Sequence, residues 1–323
     1  MARKNSHLLY YVRAFSMLLT PSFILKAREK RILRAYKNST DKAYIDQRVD
    51  YYNQIDSVID LPAESTTLKH HTYKEHQCSS VYFFDTFEYT RYFPKHFHWF
   101  HQPGDVRCLF PYPTVVKTRP LLNNHPNFKN SILLNQDKVR HFLFVKDPIP
   151  FAQKKSIILF RGEVHGKPER LKFLKMFMGK PGFDVGDTSH KLDDSLQANK
   201  LSIDDHFAYR YIMALEGNDV ASNLKWVMSS NCIAVMPRPT CESWFMEGTL
   251  VPNYHYIEIK SDFSDLEERI QYYNEHIDEA EAIIRHAHEY VEQFKNKKRE
   301  RIISYLVMKK YFERTSFQSK AQL

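Results

Sequence analysis

The stretch Tyr211–Met236, YIMALEGNDVASNLKWVMSSNCIAVM, decides the fold of this chain. Its apolar start predicts a strand, and a glycine turn follows directly. Helical spacing from Val220 then predicts a helix, and the apolar run Cys232–Met236 predicts a second strand. This order is typical of a βαβ unit, in which the free N–H groups and positive dipole at the helix start favour a bound phosphate. An ordinary α/β crossover, with Asn218 or Asp219 as the N-cap, is the alternative.

A second strand-to-loop transition repeats this pattern upstream. Ser156–Phe160 predicts a strand that delivers Arg161 and Gly162 into a loop, and Pro168 then starts a helix that carries Arg170 in its first turn. Ligands of open α/β sheets bind at the carboxyl ends of the strands, and guanidinium groups suit bidentate contacts to phosphate. We therefore expect the arginines beside this loop to face an anionic ligand.

Length and composition indicate a two-domain globular chain. The 323 residues are about twice the length of a typical domain, and 43% are hydrophobic while 26% are charged. The mean hydropathy of -0.53 favours a soluble protein. Leu8–Leu25 is the most apolar stretch near the start, but Arg13 and Pro21 interrupt it, so we expect neither a spanning helix nor a signal peptide.

The domain prediction follows from changes in pattern along the chain. Residues 1–50 are basic and helical in spacing, and the proline-bearing stretch Lys146–Ala152 is the most plausible interdomain boundary. We predict a first lobe over 51–152, a second lobe over 153–294 and a basic helix over 295–323. Within the first lobe, VYFFDTF (81–87) predicts a strand. In the second lobe, Ser264 and Glu267 predict a capping box at a helix start.

The net charge of +9 is spread along the chain, with dense basic clusters at Lys26–Lys37 and Lys295–Arg301. Basic residues beside apolar ones fit peripheral attachment to an anionic membrane surface. A solvated basic face is the simple alternative. Nucleic acid is a weaker one and we do not expect it as a partner, because the sequence has no recognisable nucleic-acid motif.

Cysteine and histidine patterns argue against a metal site. The four cysteines lack metal-ligand spacing, which favours a reducing compartment. His96, His98 and His101 alternate, but they lie among aromatic residues with no acidic partner at ligand spacing, so we predict no metal there. The neighbouring Trp99, with Phe110 and Tyr112, could stack on sugars or simply pack in a core.

Four segments, in this order, carry a family resemblance: FRGEVHGKPER (160–170), LEGNDVASNLKWVMSSN (215–231), ESWFMEGTLVPNYHYIEIK (242–260) and SDLEERI (264–270). The chain resembles the lipopolysaccharide A protein family over about residues 105–295. This is glycosyltransferase family ninety, which includes the capsule-associated proteins and the Rumi-type protein O-glucosyltransferases. The resemblance implies an α/β fold of the GT-B type, with two Rossmann-like lobes and a cleft between them. It also implies inverting, metal-independent sugar transfer without a cofactor.

The resemblance also assigns the donor site. Arg170 is similar to the arginine that contacts the donor nucleotide, and Asn223 stands where Rumi-type enzymes have an arginine. Neutralisation of the diphosphate would then fall to Lys225, Arg161 and Arg170. The expected donor-binding residues are Lys117, Arg161, Gly162, Arg170, Glu216, Gly217, Asn218, Asp219, Val220, Ala221, Ser222, Asn223 and Lys225.

The catalytic base departs from the family pattern. Rumi-type members carry the base in an Arg-Asp-Tyr-Pro motif, whereas this chain has Phe110–Pro113 and no aspartate there. Inverting transfer needs a group near the attacking hydroxyl that accepts its proton. Asp105 is therefore the first candidate, with Asp85 and Glu88 after it.

The expected function is transfer of a hexose or pentose from a UDP-sugar to a hydroxyl of a lipopolysaccharide core or another surface glycan. We expect a cytoplasmic protein, with peripheral attachment to the inner face of the cytoplasmic membrane. A non-catalytic nucleotide-sugar or glycan-binding protein is the main alternative. A kinase or phosphatase is disfavoured because the chain has no GxxxxGK[ST] loop.

Overall fold

The structure is a computed structural model that describes residues 7–75 and 78–317. Its helices are α1 His7–Leu18, α2 Ser22–Lys37, α3 Lys42–Tyr52, α4 Ser80–Thr90, α5 Lys138–His141, α6 Pro168–Phe177, α7 Ile203–His206, α8 Leu224–Val227, α9 Leu266–Glu275, α10 Ile277–Glu292 and α11 Lys297–Glu313. Its strands are β1 Ile59–Asp60, β2 Thr66–Thr67, β3 His98–Trp99, β4 His101–Gln102, β5 Thr114–Val116, β6 Thr118–Pro120, β7 Ser131–Leu133, β8 Lys155–Gly162, β9 Phe183–Asp187, β10 Tyr209–Met213, β11 Ile233–Met236, β12 Cys241–Ser243, β13 Ile257–Glu258 and β14 Thr315–Ser316. The fold is mixed α/β with parallel sheets, as predicted.

The described chain divides into two compact units. We call residues 140–240 and 246–293 the sheet unit, and residues 7–75, 78–139, 241–245 and 294–317 the helical unit. Asp147 shows why the sheet unit begins before residue 153: its carboxylate pairs with Lys154 at 2.6 Å and accepts from the Asn231 N–H at 2.9 Å. The lobe limits 51–152 and 153–294 stay a prediction.

The sheet unit is built on five parallel strands in the order β13-β11-β10-β8-β9. Tyr211 of β10 lies opposite Ile158 on one side and Ile233 on the other. Both strands predicted in the opening stretch are therefore confirmed, and so is their parallel pairing. Helix α6 begins at Pro168 as predicted, and its buried side chains, including Leu174 and Phe177, join the core of this unit.

The helical unit gathers α1–α4 and α11 around short strands. Helix α11 contacts α2, α3 and α4, and α1 contacts α4. Strands β4, β5 and β7 form a parallel sheet, with Val115 opposite both His101 and Ile132. Strand β12 leaves the sheet unit and pairs antiparallel with β6, so this unit draws on three separate parts of the chain.

The strand predicted over VYFFDTF is wrong, because these residues lie in α4. Eight of the eleven residues of α4 are buried, so its aromatic side chains are enclosed all around the helix. Phe83 and Phe84, for example, pack with Ala14 of α1. Aromatic and β-branched composition favours strands only weakly, and tertiary burial overrides it here.

The capping box predicted at Ser264 and Glu267 is also wrong. Helix α9 begins at Leu266 after Asp265, and no side chain caps its start. The Ser264 hydroxyl instead donates to Asp262 Oδ1 at 2.8 Å within the preceding turn. Local side-chain bonds of this kind compete with capping.

Within the described residues, no single helix is long and apolar enough to cross a membrane. Helices α1 and α2 together meet that test of length and composition, but they are bent by 112° at the break between them. The bend lies at Pro21, where the sequence predicted an interruption.

A buried ion pair joins β6 to β12. Arg119 Nε donates to Glu242 Oε1 at 2.7 Å, and both side chains are at most 1% exposed. Arg119 also donates to the carbonyl oxygens of Ser131 and Tyr51, and the Tyr51 hydroxyl donates to Glu242. The polar groups of the pair are thus well satisfied, which a buried pair requires.

We predict that Glu242→Gln destabilises the protein severely. The substitution leaves the buried charge of Arg119 uncompensated, and loss of one partner of such a pair costs about 3–5 kcal/mol. Urea unfolding followed by tryptophan fluorescence measures the change. Asp56→Asn is the control, because Asp56 pairs with Lys129 at the surface, and its unfolding midpoint should match wild type. An unchanged midpoint for Glu242→Gln would contradict the prediction.

Candidate functional site

The two loops singled out by the sequence lie at the same edge of the sheet unit. Strands β8 and β10 are parallel neighbours, so the loop after Gly162 and the loop after Met213 leave from adjacent carboxyl ends. This is the edge at which ligands of open α/β sheets bind. Asn218 and Ser222 are the exposed members of the second loop, whereas Asp219, Val220 and Ala221 are buried.

Arg170 joins these two loops. Its Nη1 donates to the carbonyl oxygen of Glu163 at 3.0 Å in the first loop. Its Nε and Nη2 donate to the carbonyl oxygens of Glu216 at 3.0 Å and Leu215 at 2.6 Å in the second. Burial lowers the pKa of Arg170, while Glu163 and Asp219 oppose this shift. An arginine remains charged in spite of such a shift, so a positive charge is held at this edge.

The two glycines leave room for this guanidinium. A Cβ atom on Gly217 would lie 3.0 Å from Arg170 Nη2 and 3.3 Å from its Cζ. A Cβ on Gly162 would lie 3.2 Å from the ring of Phe160 and 3.6 Å from Arg170 Nη1. Gly162, Gly217, Glu216 and Arg170 are thus brought together at this edge, and their role in donor binding stays a prediction.

The helix expected to begin near Asp219 does not begin there. Helix α8 starts at Leu224 and has only four residues. The Gly217 N–H donates to the carbonyl oxygen of Asp219, and Asn223 Nδ2 donates to the carbonyl oxygen of Met213, both at 3.0 Å. These bonds fold residues 216–223 into a loop, so a phosphate at this edge would meet loop groups rather than the end of a long helix.

Two of the three expected diphosphate-neutralising side chains are engaged elsewhere. Arg161 makes an ion pair with Asp184 and donates to the carbonyl oxygen of Asn199 at 3.2 Å, on the β9 side of the sheet. Lys225 is buried and pairs with Glu247 at 2.6 Å. Their roles in donor binding remain predictions that these contacts do not favour. Arg170 is the one of the three that lies in contact with both loops.

The candidate base Asp105 lies in the helical unit and pairs with Lys117. Lys117 is only 3% exposed in its side chain, whereas Asp105 is 26% exposed. Lys117, expected to bind the donor, thus contacts the candidate base within the same unit.

The reserve candidates for the base form a buried cluster in the helical unit. Lys138 Nζ lies 2.6 Å from Glu88 and 3.5 Å from Asp85, and the Tyr10 hydroxyl donates to Asp85 at 3.0 Å. Burial raises the pKa of Asp85. Although burial opposes the change, Lys138 and Arg13 lower the pKa of Glu88 to about 2. Both carboxyl groups are committed to this cluster.

Sequence reasoning missed a polar cluster at the carboxyl ends of β4, β5 and β7. His101 Nε2 lies 3.0 Å from Gln136 Oε1, and burial lowers the pKa of His101 to about 4. In the part of the chain that the structure describes, Asn135 Oδ1 and Gln136 Nε2 are buried without a hydrogen-bond partner. Asp137 follows with a left-handed φ of 55°. The signal was present, because Asn135–Asp137 end an apolar run just as Glu216–Asp219 do.

The sequence predicted no metal site at His96, His98 and His101. Across residues 7–75 and 78–317, no group of three or more His, Cys, Asp or Glu side chains could hold a metal ion. His98 contacts the hydroxyl of Ser65 at 3.0 Å and stacks on Phe317. All four cysteines are free thiols.

Comparison with known proteins identifies the chain. The family model of glycosyl transferase family 90 matches residues 137–322. The chain is 38% identical over 307 residues to O-glucosyltransferase LpsA of Dichelobacter nodosus, covering 94% of each protein. It is 27% identical over 173 residues to Protein O-glucosyltransferase 3 of Homo sapiens, covering 51% of this chain and 34% of that protein.

The two loops joined by Arg170, together with these matches, define a glycosyltransferase. More particularly, the chain belongs to glycosyl transferase family 90, and the resemblance stated from its motifs is confirmed.

We predict that His101 makes stability depend on pH. Its folded pKa of about 4 lies below the ordinary value of 6.5, so between these limits the unfolded chain binds a proton that the folded chain lacks. The free energy of unfolding should therefore fall as the pH is lowered from about 6.5 to 4. Urea midpoints at pH 7.5, 6 and 5 measure this fall, which should be smaller in His101→Gln.

The control for this prediction is His125→Gln, because His125 is exposed. Buried His206 and half-buried His255 add their own dependence, since burial lowers the pKa of both. The test therefore compares the fall in urea midpoint of His101→Gln with the falls of wild type and His125→Gln. Equal falls in wild type and His101→Gln would contradict the assignment.

Proposed function

We propose that this chain is an inverting, metal-independent O-glucosyltransferase that transfers glucose from UDP-glucose to a hydroxyl of a lipopolysaccharide core or another surface glycan. Membership of family 90 supports the reaction class. Both relatives are named O-glucosyltransferases, which favours a hexose over a pentose. The name of the bacterial relative supports the lipopolysaccharide acceptor. The free cysteines support a reducing, cytoplasmic location.

The observation that carries the proposal is the position of Arg170. A charged guanidinium fixed between two loops at the carboxyl edge of a parallel sheet is suited to hold a nucleotide diphosphate, because it is oriented before the ligand arrives. Three of its five N–H groups bind carbonyl oxygens, which leaves two that can donate to phosphate. Exposed Asn218 and Ser222 supply further polar groups from the same loop.

The donor reaction then follows from charge. The bond between the anomeric carbon and the diphosphate oxygen breaks, and UDP leaves with the bonding electron pair. The negative charge that develops on the leaving diphosphate is stabilised by Arg170 and by N–H groups of the loop after β10. We propose the GT-B arrangement of two lobes for this chain on the ground of the family resemblance.

The acceptor reaction requires a base in addition. We propose Asp105, whose carboxylate accepts the proton of the attacking hydroxyl as that oxygen bonds to the anomeric carbon. The ion pair with Lys117 supports this role because it fixes the position of the carboxylate, and the Asp105 side chain is 26% exposed. An Asp105→Asn variant would keep the shape of the side chain and remove the proton acceptor.

We further propose that the polar cluster of His101, Asn135 and Gln136 binds the acceptor. Asn135 Oδ1 can accept from a sugar hydroxyl and Gln136 Nε2 can donate to one, so the two unpartnered atoms match the two roles of a hydroxyl. His101 Nε2 donates to Gln136 Oε1 and orients the amide. Buried polar atoms without partners are costly, and a ligand that pairs them recovers that cost.

A non-catalytic binding protein is the second candidate. The motif at Phe110–Pro113 lacks the aspartate of Rumi-type enzymes, which favours a chain that binds without turnover. UDP release distinguishes the two candidates. A non-catalytic protein would bind UDP-glucose but release no UDP with any acceptor.

We predict metal-independent donor binding that depends on Arg170. Saturation-transfer NMR with UDP-, GDP- and CMP-sugars in EDTA should show selective binding of UDP-glucose. Arg170→Ala should weaken it at least tenfold, which corresponds to about 1.4 kcal/mol. Arg170→Lys should not restore it, because one ammonium cannot span three carbonyl oxygens. Gly217→Ala should weaken it as well, because its Cβ displaces the guanidinium.

The matched control for donor binding is Arg285→Ala, since Arg285 is an exposed arginine on α10 of the same unit. Circular dichroism on every variant excludes loss of folding. Absence of binding by every donor would contradict the proposed function. Binding that all four variants retain would instead contradict the role of Arg170.

We predict that Gln136→Leu raises the KM for the acceptor at least tenfold and leaves the Kd for UDP-glucose unchanged. The substitution removes the unpartnered Nε2 donor, together with the Oε1 that bonds His101, while keeping the volume similar. UDP release with a deacylated lipopolysaccharide core oligosaccharide measures the first quantity, and the NMR titration measures the second. The control is Gln102→Leu, an exposed glutamine on β4. Equal KM values for the two variants would show that the cluster is purely structural.

A further inference from the structure

Helix α1 has an apolar face that the helical unit leaves exposed. Four large apolar side chains on α1 and the turn that follows, and a fifth near the start of α2, are each at least 60% exposed: Leu8, Leu9, Val12, Leu19 and Phe23. Positions 8, 12 and 19, with 9, follow helical spacing along one side. Exposed apolar residues scattered singly need no explanation, but a contiguous group marks an interaction surface.

The opposite side of α1 already packs against the helical unit. The exposed apolar face is therefore not the side that attaches α1 to this unit. Ala14 is buried against Phe83 and Phe84 of α4. Arg13 pairs with Glu88 at 2.8 Å, and Arg91 donates to the carbonyl oxygen of Met17 at 3.3 Å. These contacts hold α1 in a fixed orientation.

Helix α2 adds a dense positive charge directly after the apolar face. Six exposed basic side chains lie along it: Lys26, Arg28, Lys30, Arg31, Arg34 and Lys37. Its one acidic residue, Glu29, accepts a hydrogen bond from the Tyr305 hydroxyl of α11. Ile32 is buried, so α2 is anchored to the unit while its basic side chains project outward. With Arg13, residues 7–37 carry seven basic side chains and one acidic side chain, a net charge of +6.

We propose that α1 and α2 form a docking surface for an anionic lipid membrane, in which the five apolar side chains enter the interface and the basic side chains of α2 contact lipid headgroups. We call this the apolar–basic surface. Fixed apolar side chains beside clustered lysines and arginines are what an interfacial helix requires. This inference does not rest on the proposed function.

Charge favours a membrane over a second copy of the chain as the occupant. A two-fold contact through this surface would bring two segments of charge +6 together, which like-charge repulsion opposes. An anionic bilayer instead offers the opposite charge over a flat area.

Length favours lying on the membrane over crossing it. Helix α1 has 12 residues, about 18 Å at 1.5 Å per residue, against a hydrocarbon core of about 30 Å. Helix α2 carries seven charged residues among its 16. A helix with this many charges is stable at the headgroup level and costly within the hydrocarbon.

Vesicle sedimentation of the full chain tests the proposal. The protein should bind vesicles of phosphatidylcholine with 30% phosphatidylserine and bind pure phosphatidylcholine far more weakly. The triple variant Arg28→Gln, Lys30→Gln, Arg31→Gln should lose about fivefold per charge, on the order of a hundredfold in all. The triple variant Leu9→Ser, Val12→Ser, Leu19→Ser should lose binding to both kinds of vesicle.

Matched variants remove the same chemistry elsewhere. Lys172→Gln, Lys175→Gln and Lys200→Gln together remove three exposed charges from the sheet unit, and Val58→Ser with Leu122→Ser removes exposed apolar side chains from other loops. Both control variants should bind vesicles as wild type does. If they lose binding equally, the effect is one of net charge or mean hydropathy, and the proposal fails.

Two further results would overturn the proposal. Protein that stays with the vesicles after carbonate extraction would show that α1 and α2 cross the bilayer rather than lie on it. A dimer in light scattering, abolished by the Leu9, Val12 and Leu19 substitutions in a protein with no preference for anionic vesicles, would show that a second copy covers the surface.

Discussion

The arrangement of the sheet edge depends on one half-buried guanidinium. Arg170 comes from α6, yet its hydrogen bonds go to main-chain oxygens of the loops after β8 and β10. Main-chain acceptors make this contact independent of the side chains in those loops, so loop residues can vary while the loop geometry persists. The planar fork of an arginine reaches several acceptors at once, which an ammonium group cannot do. The close approach also explains why glycine stands at position 217.

Several charged side chains in the interior are neutralised by a buried partner of opposite charge. Arg119 with Glu242, Lys225 with Glu247 and Lys154 with Asp147 are all pairs with side chains at most 2% exposed. The first two pairs join segments that are distant in sequence. Apolar residues of the same volume could stabilise such places equally well, but ion pairs also exclude alternative registers, because a mispaired charge in the interior is expensive. Strand β12, only three residues long, has little else to define its partner.

Much of the fold could be predicted, because local patterns and tertiary packing agree there. The strands around Tyr211 and Ile158 and the start of α6 at Pro168 follow directly from periodicity and the position of proline. The misassigned helix α4 shows the limit, since a fully enclosed helix has no polar face and therefore no helical pattern.

For the candidate site, the sequence indicated which loops matter but not which basic side chains are available. Arg161 and Arg170 look equivalent in sequence, yet strand geometry sends Arg161 towards Asp184 and helix geometry returns Arg170 to the loops. Lys225 is held in a buried ion pair with Glu247, a partner 22 residues away that no local pattern reveals. The polar residues Asn135 and Gln136 could be recognised as the end of a strand. That Asn135 Oδ1 and Gln136 Nε2 find no partner among the described residues is a property of the packed state.

The discontinuity of the helical unit has a consequence for the order of synthesis. Helices α1–α4 emerge early from the ribosome, but α11, which packs against three of them, and β12, which pairs with β6, emerge only after most of the sheet unit has been made. At about 5–20 residues per second, this wait lasts on the order of ten seconds or more. During that time the aromatic side chains of α4 have incomplete surroundings, so the nascent chain is exposed to aggregation and is a natural client for chaperones that bind apolar segments.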